Sequence, residues 1–274
     1  MKRNVLSLYL KTTVVFLLFS LLSFLYTISV SAEEGTIRIM AAASLTEVFN
    51  DLKVGFEEKY EGIELEINYA GSQALFSQIQ MGASADIFAS ANIKYMKQLK
   101  EADMVNEATI FAYNELVIAV SKESSIVIES IGDVIKDNLK LLIADESVPV
   151  GRYTVQMLGK QSGNPVLPVD FQDKFLENVI SKEFDVKSVV AKIELGEADA
   201  GIVYKTDINA SNKDKVEITD IEEKYNVIAT YPIAILKDIS PANENIANLF
   251  LDYLYSEEGG MILEKHGFVK ESRG

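Results

Sequence analysis

Cysteine is missing from all 274 residues. Its absence excludes disulfides, thiolate metal sites, a cysteine nucleophile and a lipid anchor attached at a signal-peptide cysteine. An exported form of this chain must therefore draw its stability from an ordinary apolar core. Histidine occurs once, as His266 between Lys265 and Gly267, and reads as a surface or helix-end residue. A Ser/Asp/His triad would have to recruit it, and neither a Gly-x-Ser-x-Gly elbow nor a His-Glu-x-x-His pair is present. Two recognisable hydrolase designs are thereby removed, and no enzyme is expected. Basic residues are scarce: 26 Lys and Arg stand against 41 Asp and Glu, a net charge of −15. Such a surface argues against nucleic acid and anionic lipid as partners. There are no internal repeats, low-complexity tracts or Pro-rich linkers.

What is present begins with an address label. Lys2, Arg3 and Lys11 precede the apolar run Val14 to Tyr26, and Val30-Ser31-Ala32 offers a small-residue cleavage site. The run is shorter than the roughly 20 residues of a bilayer span, so residues 1–32 read as a signal peptide cleaved after Ala32. The alternative is an uncleaved anchor, because Thr12 to Val30 carries no charge. Either way the chain is expected outside the cytoplasm, in the periplasm or on the outer face of the membrane. The remainder exceeds the usual size of one core, which favours two lobes.

Beyond the leader, apolar strands alternate with amphipathic helices. Thr36 to Ala42 reads as a strand, and Leu45 to Tyr60 as a helix with Leu45, Val48, Phe49, Leu52 and Phe56 on one face. Ile63 to Tyr69 is a strand, Gln73 to Met81 a helix, Ala85 to Ala89 a short strand and Lys94 to Ala102 a helix. Strands at Leu116 to Ser121, Leu139 to Ala144, Ala200 to Tyr204 and Val227 to Leu236 follow. The segments around Gln156 to Leu158 and from Asp185 to Leu195 continue the alternation. Glu244 to Tyr255 and Glu257 to Lys265 close the chain as helices. Short links in a βαβα order imply α/β lobes, each a mixed, mostly parallel sheet flanked by helices. Extended crossings near Tyr113 to Leu116 and Thr230 to Tyr231 are the expected hinges. They place 33–114 and 231–274 in lobe one and 115–230 in lobe two, with a ligand cleft between.

Four distant segments sit where strands end or helices begin. They are Ala41-Ala42-Ala43-Ser44, Ala70-Gly71-Ser72, Val148-Pro149-Val150-Gly151 and Gly201-Ile202-Val203-Tyr204. Each offers hydroxyls and backbone amides, and none offers a His, a Cys or a carboxylate. Uncharged donors at helix N-termini form a receptor for a small anion. Ser44 has a competing explanation: Ser44-Leu45-Thr46-Glu47 fits a capping box. At Ser72 the residue three further on is Leu75, so no carboxylate competes for the amides. Arg152 reads either as added attraction at the loop or as a solvent-facing charge. Tyr153 reads as packing, Asp86 as an acceptor for nearby amides, and Met81, Met96 and Met157 as core filler. Lys213-Asp214-Lys215 and Glu222-Glu223-Lys224 read as solvated turns.

These segments, in order, resemble the periplasmic molybdate-binding proteins of ABC importers. The resemblance rests on Ala41 to Leu45, on Ala70-Gly71-Ser72-Gln73-Ala74-Leu75 leading to Gln78-Ile79, and on Gly82-Ala83-Ser84-Ala85-Asp86-Ile87-Phe88. It continues through Val148-Pro149-Val150-Gly151-Arg152-Tyr153 and Gly196 to Tyr204. It implies a two-lobed, type II periplasmic-binding-protein fold closing around molybdate or tungstate, with no cofactor. It further implies delivery to a membrane permease, and a monomer is expected. Carried over residue by residue, it implies the hydroxyls and amides of Ser44 and Ser72 from lobe one. From lobe two it implies the amides of Val150 and Val186 and the hydroxyl of Tyr204. Val186 follows only from its spacing before Tyr204. Val150 stands where the family often has alanine, a change that spares a backbone contact.

Residue chemistry is consistent with such a ligand. A cage of donors alone suits a fully deprotonated dianion, because a ligand hydroxyl would find no acceptor, at a cost of about 1–3 kcal/mol. A sulfate, thiosulfate or phosphate receptor of the same architecture is the neighbouring reading, and a purely structural or adhesive surface protein a more distant one. A ferric receptor is disfavoured, because no adjacent tyrosine pair occurs.

Overall fold

The computed structural model describes residues 35–270, so the expected signal peptide lies outside the described residues. The chain opens with β1 (Gly35–Ala42), α1 (Thr46–Lys59), β2 (Ile63–Ala70), α2 (Ser72–Gln80), β3 (Ile87–Ala89), α3 (Ile93–Glu101) and the long β4 (Thr109–Ser121). It continues through β5 (Leu141–Ala144), α4 (Pro149–Gln161), α5 (Phe171–Glu177), β6 (Val179–Glu183), α6 (Val186–Glu194), β7 (Ala200–Tyr204) and β8 (Val216–Asp220). It ends with β9 (Ile228–Ile235), α7 (Pro241–Tyr255), α8 (Glu257–Lys265) and β10 (Val269–Lys270).

The strands join in the order β2-β1-β3-β9-β4-β7-β5-β6, with β8 and β10 also paired to β4. Pairing is parallel among β2, β1 and β3, and again among β6, β5 and β7. Between these parallel halves run β9 and β4, antiparallel to each other and to their outer neighbours β3 and β7. β4 changes partners along its length: Thr109 to Glu115 pair with β9, whereas Leu116 to Ser121 pair with β7 and β8. The expected hinge segments lie side by side here, with Tyr113 opposite Thr230.

Burial explains the element types. β5 and β7 are buried at every position, as strands covered on both faces must be. α1 buries Val48, Phe49, Leu52 and Phe56 at helical spacing. Phe56 and Phe49 then meet Phe250 of α7 in edge and tilted ring contacts. A second apolar cluster, with Leu75, Ile79, Phe88, Tyr95, Met96 and Leu99, fixes α2 and α3 against the sheet. Met96 and Met157 belong to the core, but Met81 does not: it caps the end of α2 and is 78% exposed. Its place in the sequence continued the apolar period, yet the helix stops one residue earlier.

Among the described residues no helix is long and apolar enough to cross a membrane. Asp86 behaves as expected, accepting from the Arg38 amide at 2.7 Å. His266 ends α8 and its Nε2 lies 2.9 Å from Asp51.

Candidate anion-binding site

β1 delivers its C-terminal alanines to a 3-10 turn, Ala43–Leu45, that leads into α1. Ser44 sits inside this turn, so the capping box does not form. The residue flanking the turn is Ala42, the one flanking α1 is Leu45, and neither has a side-chain cap. The Glu47 carboxylate reaches Lys187 Nζ at 2.7 Å instead of turning back on the helix start. Ser44 is 4% exposed, and its hydroxyl oxygen accepts from the Tyr231 hydroxyl at 3.1 Å.

At the tip of β2, Gly71 flanks α2 and Ser72 is its first residue. The Ser72 hydroxyl oxygen accepts from the Ala91 amide at 3.1 Å. Having accepted there, the hydroxyl still has its proton to donate. Pro149 occupies the first position of α4. Proline has no amide proton, so Val150 carries the first amide that this helix offers. Val186 is the first residue of α6, where Asp185 caps the Ser188 amide at 2.8 Å. The cap satisfies the third amide and leaves the first facing outward from the helix end.

Tyr204 ends β7. It is 1% exposed, and its hydroxyl makes no hydrogen bond of normal geometry. Its ring meets Tyr231 and Tyr153 edge-on, with centroids 5.7 and 6.4 Å away. Burial drives the Tyr204 hydroxyl far above the usual tyrosine value, with Tyr231, Tyr153 and Asp207 adding to the shift. Burial does the same to Tyr231, and the charge of Asp207 adds to it. Both are therefore neutral donors at any physiological pH.

Ser44, Ser72, Val150, Val186 and Tyr204 all line one small cavity, together with Ala42, Ala43, Gly71, Ala91, Val148 and Pro149. No charged side chain is in its lining. Small residues on one wall let an occupant approach the backbone, and helix starts on the other walls aim amides inward. Tyr153 supports the site from behind: its hydroxyl accepts from the Thr230 amide at 3.2 Å. Arg152 is exposed and absent from the lining.

A charged network stands one step behind three of the five residues. Lys187 follows Val186 and lies 2.7 Å from Glu47 and 3.4 Å from Asp207. Asp207 is fully buried, and its Oδ2 accepts from the Tyr204 amide at 3.1 Å. Burial pushes its carboxyl up to about 6, although Lys187 opposes the shift. Burial pulls the Lys187 ammonium down, but Asp207 and Glu47 outweigh it and hold the group above its ordinary value.

Sequence reasoning missed Ala91, Tyr231 and Asn114, whose amide nitrogen donates to Thr206 at 2.7 Å and lies 3.4 Å from the Tyr231 hydroxyl. Tyr231 stood in a segment read only as a hinge. Ala91 follows a short strand with no polar side chain of its own to draw notice.

A cavity ringed by helix starts, on a type II periplasmic-binding-protein fold, defines a solute-binding protein. The chain belongs to the family of bacterial extracellular solute-binding proteins, whose model matches residues 37–269. It is 34% identical over 245 residues to the putative ABC transporter substrate-binding lipoprotein YvgL of Bacillus subtilis, covering 88% of this chain and 89% of that one. It is 32% identical over 237 residues to the molybdate-binding protein ModA of Mycobacterium tuberculosis, covering 86% and 85%. A similar solved structure is the substrate-binding domain of a putative molybdenum ABC transporter from Clostridium difficile. That structure has a TM-score of 0.64 and 30% identity, with 86% of this chain and 99% of that chain covered.

Proposed function

We propose that this chain captures molybdate, and tungstate with it, outside the cytoplasm and delivers the anion to the membrane permease of an ABC importer. The observation that carries this reading is the convergence of Ser44, Ser72, Val150, Val186 and Tyr204 on one uncharged cavity. In this reading each of them donates to a ligand oxygen, and no first-contact lysine or arginine holds the anion too tightly to release. Discrimination against hydrogen phosphate comes from the missing acceptor. Discrimination against sulfate comes from cage size, because a smaller anion cannot reach every donor at once. The relatives' names support the ligand.

Segments 33–114 and 231–274 form lobe one and 115–230 lobe two, hinged where β4 and β9 cross. Three contacts then span the cleft and close it. Gln73 Nε2 donates to the Phe184 carbonyl at 2.7 Å, Lys187 meets Glu47, and the Tyr95 hydroxyl donates to the Ser147 carbonyl. Closure joins donors from both lobes around the anion, a hinge transition.

Calorimetric titration with molybdate, tungstate, sulfate and phosphate tests the proposal. The expected result is tight one-to-one binding of the first two and no heat with the others. Binding of sulfate alone would move the substrate, and silence with all four would end the receptor reading.

A further inference from the structure

An acidic protein that takes up a dianion has an electrostatic difficulty at the moment of encounter. Beside the anion cavity lies a groove of about 360 Å³ walled by α3 along its length and the first turns of α4. It carries Lys94, Lys97 and Arg152, with Glu101 as its only carboxylate. The cavity and the groove share their supports. Ala91 lines the cavity and Asn92 the groove, while Val150 lines the cavity and Arg152, two residues on, the groove. The Tyr95 hydroxyl, donating to the Ser147 carbonyl, ties the two walls together beside it.

Among the described residues, ion pairs engage Lys53, Lys59, Lys136, Lys187, Lys205 and others, but none includes Lys94, Lys97 or Arg152. Three unpaired cations thus gather at one seam of a chain whose net charge is −15. Lys94 also lies 5.0 Å from the centre of the Tyr95 ring, which holds it at the seam.

We propose that Lys94, Lys97 and Arg152 form a cationic entry groove that steers the oxyanion to the neutral cage without contacting it once bound. The proposal rests on the oxyanion reading above. Screening over about 8 Å at physiological ionic strength leaves the distant acidic surface with little influence at this mouth, whereas charges on the groove walls act directly. A low-dielectric cleft with an excess of one sign of charge, here three cations against Glu101, raises the local concentration of the opposite ion and so its association rate. Because the cage itself is uncharged, capture speed and holding strength fall to different residues. The cations hasten arrival, and the amides and hydroxyls set the dwell time.

The test is stopped-flow mixing with molybdate, followed by tyrosine fluorescence, for the full chain and for the triple variant Lys94→Gln, Lys97→Gln, Arg152→Gln. Steering predicts association slowed about tenfold at roughly 10 mM salt and less than about twofold at roughly 0.5 M, with dissociation unchanged. A control variant, Lys213→Gln, Lys215→Gln, Lys224→Gln, alters net charge equally at exposed sites that line neither groove nor cavity, and should associate almost as fast as the parent. Association unchanged at every salt concentration would overturn the proposal. So would a control slowed as much as the triple variant, or a variant that differs only in dissociation. An unaltered chain that binds no oxyanion would end the oxyanion reading as well, a result visible before any variant is made.

Discussion

The two walls of the cavity solve one problem by different means. On the Ser44 and Ser72 wall, both hydroxyl oxygens are already engaged, accepting from Tyr231 and from the Ala91 amide. Their positions are fixed before a ligand arrives, and only their protons remain to be given. On the opposite wall, Tyr204 holds its hydroxyl inside an aromatic cluster with no hydrogen bond of normal geometry. An unpaired buried hydroxyl costs about 1–3 kcal/mol. One wall is therefore satisfied within the protein, and the other, under the proposed function, is completed by the anion. The difference teaches where binding selectivity can be stored: in a deficit that an anion of the right reach relieves.

The largest effect expected from breaking this comparison falls on two glycines. A Cβ on Gly151 would lie 2.1 Å from the Asp145 carbonyl oxygen, inside its own wall. Gly151→Ala should lower stability by about 3 kcal/mol or prevent folding, read by urea denaturation. A Cβ on Gly71 would meet the flexible Gln73 side chain and, at 2.7 Å, the Phe184 carbonyl that precedes α6. Gly71→Ala should leave the ligand-free chain within about 0.5 kcal/mol of the parent while weakening molybdate about tenfold. Equal loss of stability in both variants would contradict the contrast.

Asp207 gives the next effect. Its carboxyl, at about 6 against an ordinary value of 3.8, keeps its proton in the fold where an unfolded chain has released it. The folded state binds more protons in that window, so its stability falls as pH rises from about 4 to 6. Asp207→Asn removes this loss. Parent stability relative to the variant should therefore drop by about 2 kcal/mol between pH 4 and pH 7, measured by paired denaturation curves. A flat difference would show that the carboxyl is not held protonated by burial.

Tyr204→Phe and Ser72→Ala then separate the walls directly. Each should weaken molybdate about tenfold. Without ligand, however, Tyr204→Phe should hold or gain stability, whereas Ser72→Ala should lose about 1 kcal/mol as the Ala91 amide loses its acceptor. Unchanged titration curves for both would sink the site assignment and leave the fold intact. The smallest effect is expected at Glu47, whose pair with Lys187 is partly exposed. Glu47→Gln should weaken molybdate less than about fivefold, because such pairs contribute about 1 kcal/mol or less.

Much of this was legible along the chain, because helix starts and small residues are local signals. Ala200 to Tyr204 and Glu257 to Lys265 have the ends that period and punctuation predict. The five expected residues do share a cavity. Elements that escaped notice are short or marginal: α5, the polar edge strand β6, β8 and the two-residue β10. Their alternation is too brief for a period to register. β4 was read from Leu116 only, since Asn114 and Glu115 interrupt the apolar pattern just where the strand changes partners. The competing reading of Ser44 as a cap fails for a comparable reason. Its real partner, Tyr231, is 187 residues away, and the partner of Glu47 is 140 away. Local spacing carries no information about such pairs.

The most direct test is a crystal structure of the chain loaded with molybdate, with the metal located by its anomalous scattering. One molybdenum peak is expected inside the cavity, its oxygens about 2.7–3.2 Å from donors of Ser44, Ser72, Val150, Val186 and Tyr204, and no lysine or arginine in contact. A peak elsewhere, or an anion held by a charged side chain, would contradict the account.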